Sequence, residues 1–299
     1  GFGAGVLETI LTPVICETFP ERRTSAVNAL HAFYALGAAG VILVSRTILQ
    51  MFGPPGAEQT AVVEQGCLHG WQWVYVAIIF IPLAYGIGFW FCLRIRRVSV
   101  LYPSSESYTG TLSRLRRWGF VLFVAGILCG AGAELGAAQW LPSYLENVMG
   151  WQRENSAVGL MVLSLAMGVG RILAGRIERW MSAADMLILA GAVCAGCLVT
   201  AGVADSALVV LSAFAIMGFF VGWMWPTIMA LASDAFPHTG ASMFAFLAVV
   251  GNAGGILFPG IMGFTAETAG LRAAMISLSF VPCMLMILFL IWRFRSTVR

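Results

Sequence analysis

Nine stretches of this 299-residue chain are each long and apolar enough to cross a lipid bilayer, and that repetition constrains the fold more than any other feature. They run from about 1 to 16, 25 to 49, 71 to 93, 119 to 142, 156 to 174, 186 to 203, 207 to 232, 241 to 264 and 272 to 292. A hydrocarbon core of about 30 Å is spanned by roughly 20 apolar residues in a helix. Inside it each backbone N–H and C=O must find a partner within the protein, which leaves helices and closed barrels as solutions. The stretches are rich in Leu, Ala, Gly, Phe and Met and lack the polar/apolar alternation of barrel strands, so an all-α polytopic membrane protein is predicted. Only 10% of residues are charged, against roughly 25% in a soluble domain.

The basic residues test that count. All 17 are arginine, and cytoplasmic loops of a helical membrane protein collect them. With nine spans, loops 17–24, 94–118, 175–185, 233–240 and the tail from 293 share one side and hold Arg22, Arg23, Arg94, Arg96, Arg97, Arg114, Arg116, Arg117, Arg176, Arg179, Arg293, Arg295 and Arg299. The other side has Arg153, while Arg46, Arg171 and Arg272 lie within or at the ends of spans. The bias predicts a cytoplasmic C-terminus, Gly1 on the far side and an inner or plasma membrane location. The net charge of +3 then reports topology and gives no reason to expect nucleic acid.

Enzyme signatures are lacking. There is no HExxH, no nucleophile elbow and, without any lysine, no Walker motif. The opening GFGAG follows no strand, so its glycines read as helix-packing positions rather than a phosphate cradle. Cys194 and Cys197 form a CxxC within AGAVCAGCLVTAG; so deep in an apolar span they read as small packing residues. No cofactor, metal or obligate protein partner is expected.

A repeat supplies the organisation. GFGAGVLETILTPVICETFP at the start and GFFVGWMWPTIMALASDAFP at 218–237 align Gly1 with Gly218, Phe2 with Phe219, Gly5 with Gly222, Phe19 with Phe236 and Pro20 with Pro237. The register continues into the next span, where Ser25 meets Ser242 and Gly37 meets Gly254. Internal repeats recur in secondary transporters. If the first three spans repeat as the last three, spans four to six lack a partner, and three more helices are expected upstream of Gly1. The chain then divides into 1–93, the last three helices of a first bundle; 94–117, a basic cytoplasmic linker; and 118–299, a complete six-helix second bundle.

Twelve helices in two related halves resemble the major facilitator superfamily. GAGVLETILTP resembles the G-x-L-E-T-x-x-N-P signature of the fourth helix of the fucose permease-like sugar:proton symporters, with Thr12 in place of Asn. NALHAFYALG resembles that family's fifth helix, N-x-x-Q-x-F-N-x-x-G, keeping Asn28, Phe33 and Gly37 but carrying His31 and Tyr34. AELGAAQWLPSYL at 133–145 is similar to its seventh helix, and GRILAGRI at 170–177 to the superfamily's glycine/arginine loop motif. The resemblance implies a major facilitator fold, helices four to twelve of it, and proton-coupled symport of a small neutral solute, a monosaccharide. An exporter or organic-anion carrier is the rival within the class, and an integral-membrane transferase the rival outside it.

The polar groups inside the spans carry the chemistry. A charged side chain at membrane depth costs roughly 2.5 to 3.5 kcal/mol or more, so such a residue faces a cavity, pairs, or marks an ion path. By resemblance Glu8 is the carboxylate whose protonation is coupled to sugar binding; the bland alternative is a structural hydrogen bond to a neighbouring helix. Glu134 is the other deep carboxylate, a second proton site, a sugar acceptor or a structural group with backbone partners nearby. Pro13 cannot donate to the carbonyl of Thr9, so the first helix can bend there, to expose acceptors to a cavity or merely to pack. Asn28, His31 and Tyr34 share a drifting helical face, and with Gln139, Trp140, Trp223, Trp225 and Asn252 they offer the mix of donors, acceptors and aromatic faces that a sugar needs; the alternatives are a hydrogen-bonded interior histidine at His31 and aromatics that simply pack in the membrane core. Gly170, Arg171, Gly175 and Arg176 read as a gating hinge at a cytoplasmic helix end, or the arginines simply set topology. A buried carboxylate without a mid-depth arginine argues against anionic solutes.

Overall fold

The computed structural model describes residues 2–52, 70–95, 118–236 and 240–297, with side chains of the first helix described from Ile10 onward. Each predicted span corresponds to a described helix, or for the last to two: α1 (Phe2–Thr18), α2 (Arg23–Phe52), α3 (Gly70–Ile95), α4 (Trp118–Asn147), α5 (Arg153–Ile177), α6 (Ala183–Val203), α7 (Ala207–Ala235), α8 (Gly240–Ala269), α9 (Leu271–Leu278) and α10 (Phe280–Thr297). Eight candidate spans meet the length and hydropathy of a membrane crossing, which makes this an integral membrane protein; α9 and α10 together supply one of them, Leu271–Arg295. α1, at 17 residues, is the remaining segment. The linker predicted at 94–117 lies outside the described residues but for Arg94 and Ile95, which close α3.

The last predicted span is broken rather than continuous. Pro282 has no N–H for the carbonyl of Leu278, so the helical ladder fails there; Ser279 instead donates its N–H and its hydroxyl to the carbonyl of Ile276, at 3.0 and 2.6 Å.

Two compact units are present, Gly1–Leu36 with Pro103–Arg299, and Gly37–Tyr102. In the first, helices approach closely wherever a glycine faces a neighbour. Gly126 and Gly130 admit Phe289 and Met224, and Gly132 and Gly136 admit Phe258 and Leu278, so the small-residue spacings noted in the sequence are contact surfaces. Gly218 and Gly222 of α7 lie against the backbone of Leu163 and Met167 in α5. Around these contacts Phe123, Ile127, Leu141, Leu163, Leu187, Met224 and Phe289 form a buried core. Cys194 is fully buried there, its thiol 3.7 Å from the carbonyl of Met217. The end of α6 is closed by Tyr144, which donates to Ala201 O at 2.7 Å, and by Arg272, which donates to Ala204 O at 2.8 Å and pairs with Asp205 at 2.7 Å.

The second unit comprises the later part of α2 and α3. Tyr75, Phe80, Ile81 and Trp90 of α3 are exposed, an apolar surface that a bilayer or a packed helix accommodates. Arg94 lies 4.5 Å over the Trp90 ring, a cation–π contact suited to a helix end at the interface.

Candidate functional site

Among the described residues of the first unit the most buried charge is Arg171 of α5, whose side chain is 2% exposed. A buried guanidinium must satisfy its donors and find a counter-charge, and Arg171 does both across three other helices. Its Nε donates to the carbonyl of Gly222 in α7 at 2.9 Å, one Nη to the carbonyl of His31 in α2 at 3.0 Å, and the other Nη to Oε2 of Glu134 in α4 at 3.0 Å. The ring of Tyr34 lies 5.8 Å from the guanidinium carbon.

Local sequence explains why these groups meet. Pro226 has no N–H to give the carbonyl four residues before it, and that carbonyl belongs to Gly222. The freed oxygen faces α5 because Gly222 has no side chain in the way; a Cβ there would approach Met167 O to 2.9 Å. Gly170 brings α5 against the backbone of Phe219, and the indole of Trp223 donates to Gly170 O at 3.0 Å, fixing the turn that carries Arg171. Gly175 contacts Ser25 and Gly168 contacts Leu36, which seats α5 on the first part of α2.

A second polar group adjoins α2. Asn28, fully buried, donates to Thr24 O at 2.9 Å and to Thr227 Oγ1 at 3.2 Å. Its Oδ1, the Nε2 of His31 and the Nε1 of Trp225 are buried without a hydrogen-bond partner. Unsatisfied buried polar atoms are uncommon in proteins and call for a ligand, water or ion.

The predicted residues are therefore partly gathered. Asn28, His31, Tyr34, Glu134 and Arg171 cluster where α2, α4, α5 and α7 meet. Gln139 and Trp140 lie elsewhere, lining a cavity of about 450 Å³ with Ser143, Gly255, Ile256, Pro259 and Gly260. The Trp140 indole is held there by a bond to Pro259 O at 3.0 Å. Trp225 occupies the opposite side of α7 from Trp223, against Gly251. Asn252 bonds back to Ala248 O of its own helix at 2.9 Å. Trp223, expected to line the passage, is buried and packed edge-on between Phe219 and Phe220, so in this state it positions α5 and has no face to offer a solute. Pro13 is buried in α1, Gly175 adjoins Ser25, and Arg176 is exposed. The side chain of Glu8 lies outside the described residues.

One inference from the sequence needs correction. Arg171 does not sit at a helix end: α5 continues for more than a turn to Ile177, and the side chain is directed inward to Glu134. A buried arginine facing Glu134 is thus present, and anionic solutes are not discounted for want of one. Thr227 and the Gly222 carbonyl were missed. The reasoning applied to Pro13, a proline releasing a carbonyl four residues earlier, would have found Gly222 through Pro226.

Surface charge lies one to two turns beyond Arg171, where α5 ends. Arg23 at the start of α2 pairs with Asp234 in the last turn of α7 and donates to Cys16 O at 3.1 Å. Beside it Glu21, Arg22, Ser25, Gly175, Glu178 and Arg179 line a polar depression of about 310 Å³.

Comparison with known proteins places this arrangement. The Major Facilitator Superfamily profile matches residues 1–246. An uncharacterised MFS-type transporter of Yersinia pestis is 26% identical over 59% of this chain and 46% of its own length, and the membrane protein MosC of Rhizobium meliloti is 25% identical over 54% and 39%. The chain thus spans less than half the length of these curated relatives. Two crystal structures share the fold at a TM-score of 0.80: the transporter FucP in the outward conformation, 19% identical over 97% of this chain and 73% of that one, and a variant of the E. coli fucose:proton symporter FucP, 20% identical over 97% and 74%. With the profile matching most of its length and the helices superposing on that fold, the chain belongs to the major facilitator superfamily.

Proposed function

We propose that the protein is a secondary active transporter that carries a small neutral solute, a monosaccharide, together with a proton by alternating access. The observation that carries this reading is the buried Glu134–Arg171 pair, tied to the carbonyl of His31 on a helix whose Asn28 Oδ1 and His31 Nε2 are buried without a hydrogen-bond partner. Charges at membrane depth mark solute or ion paths, and orphaned donors and acceptors suit hydroxyl groups, which supply both. The pair has no net charge, which suits a neutral solute. The likeness of GAGVLETILTP to the fourth helix of the sugar:proton symporters, and the fold shared with a fucose:proton symporter, support the same choice.

In this reading Glu8 holds the coupled proton, and Glu134, paired with Arg171, is a sugar acceptor. Asn28, His31 and Tyr34 meet the solute, Gln139 and Trp140 line an approach to it, and Trp225 and Asn252 complete the cavity in other states. Pro13, Gly170, Arg171, Gly175 and Arg176 lie where the helices bend or slide. Residues 1–93 and 118–299 rock about the site, joined by 94–117, in a plasma or inner membrane with the C-terminus in the cytoplasm. Lipid is the surrounding partner, and the activity is transport rather than catalysis.

A second reading is favoured by Arg171 itself: an organic anion could pair with it once Glu134 is neutralised. Vesicles containing the full-length protein distinguish the two. Neutral sugar should drive proton uptake, and Glu8→Gln should abolish pH-dependent accumulation. A variant that kept it would remove Glu8 from the mechanism, and uptake driven only by anions would favour the second reading.

A further inference from the structure

We infer that Glu134 sets the charge class of the solute, by masking a guanidinium that would otherwise select anions. This rests on the proposed reading of the cluster as a solute site and adds a specificity determinant to it.

The argument begins with what holds Arg171. Two of its three hydrogen bonds run to backbone carbonyls, Gly222 O at 2.9 Å and His31 O at 3.0 Å, on two different helices. These anchors do not depend on Glu134. The Gly222 oxygen is available because Pro226 cannot use it, and Gly170 and Trp223 fix the turn of α5 that bears the side chain. Arg171 is therefore held in place by backbone, whatever happens to its counter-ion.

Its charge is another matter. Carbonyls solvate a guanidinium but do not neutralise it, and the salt bridge to Glu134 at 3.0 Å supplies the formal negative charge. The Tyr34 ring, 5.8 Å from the guanidinium carbon, is 59% exposed, so the cluster reaches the surface of this unit on that side. With Glu134 ionised, an incoming carboxylate meets a carboxylate and a guanidinium together and gains little. An uncharged Glu134 site leaves a fixed cation in a low-dielectric setting without a counter-ion, which strongly favours a solute that brings one. The planar guanidinium has five N–H donors and suits a carboxylate in particular.

The test compares binding of neutral aldohexoses (glucose, galactose, mannose and fucose) with binding of glucuronate and galacturonate, which differ from neutral rings by a carboxylate. Titrations use the full-length protein in detergent. The wild type should bind a neutral hexose and discriminate against both uronates. E134Q should gain uronate affinity by about tenfold or more, equivalent to about 1.4 kcal/mol, and E134Q/R171M should lose that gain. Thermal unfolding of E134Q with and without uronate provides a second readout, in which the ligand should raise the melting temperature.

A wild type that binds hexose and an E134Q protein that gains no uronate affinity overturn the inference while leaving the sugar reading intact. A gain that survives in E134Q/R171M overturns it as well, as does an E134Q protein that unfolds and is not rescued by uronate. Uronate binding by E134Q in a protein whose wild type binds no hexose supports the masking role and overturns the sugar reading instead.

Discussion

Arg171 donates its Nε to the carbonyl of Gly222 at 2.9 Å, and that carbonyl is the one Pro226 leaves without its helical partner. A defect in one helix thus becomes an anchor for the charge on another. The buried arginine is tied to backbone on α7 and α2 and neutralised from α4, so four helices converge on one side chain.

P226A should restore an N–H to α7 and let the helix straighten, turning the Gly222 oxygen along the helix axis and away from α5. An interior proline costs about 3 kcal/mol of helix stability relative to alanine, whereas Arg171 would lose a charge-assisted bond of about 1.5 to 3 kcal/mol. These nearly cancel. The apparent melting temperature should stay within a few degrees of wild type while solute affinity falls by about tenfold, a split that thermal unfolding and ligand titration together would show.

Removing one member of the Glu134–Arg171 pair should be worse than removing both. R171M strands a carboxylate at a site where Glu134 is 8% exposed, and stranding a buried charge costs about 3 to 5 kcal/mol. E134Q/R171M strands none. In thermal unfolding the double variant should melt between R171M and the wild type; a double variant that melts below R171M would show that the pair does not act as a unit.

Glycine positions offer a paired control. A Cβ at Gly170 would overlap the backbone of Phe219, approaching its C and Cα to 2.9 and 3.0 Å, and backbone cannot swing aside. G170A should therefore separate α5 from α7 and destabilise by about 1 to 3 kcal/mol, with loss of transport. Gly196 has nothing within 4 Å of the same position. G196A should be neutral or stabilising by up to about 1 kcal/mol, with uptake unchanged.

The Arg23–Asp234 pair joins the first turn of α2 to the last turn of α7, with side chains 26% and 50% exposed. An exposed pair contributes about 0 to 1 kcal/mol, too little to matter for folding. Its position suits a latch between α2 and α7. R23D should leave the melting temperature nearly unchanged yet slow uptake, and R23D/D234R should recover it in a vesicle assay; unchanged uptake in R23D would exclude the latch.

Much of the architecture is legible in the sequence. Hydropathy located every span to within a few residues because crossing a bilayer is a demand on length and composition, both local properties. Close-contact glycines were legible for a similar reason: a missing side chain at regular spacing marks where another helix can approach, although it does not say which one. Gly130 was identifiable as a contact position; that it meets Met224 of α7 was not. The break at Ser279 was overlooked although Pro282 signals it, because hydropathy averages over the turn where the ladder fails.

The sequence by itself determined the membrane class, the helical segments, the pseudo-repeat and the presence of a deep carboxylate at Glu134. Only the tertiary structure decided that Glu134 faces Arg171, that Trp223 is a buried strut and that Gln139 and Trp140 belong to a separate cavity. An arginine near the end of an apolar stretch can reach outward to the interface or inward to a partner. Which it does depends on the nearest counter-charge and acceptor, here on helices 37 and 51 residues away along the chain.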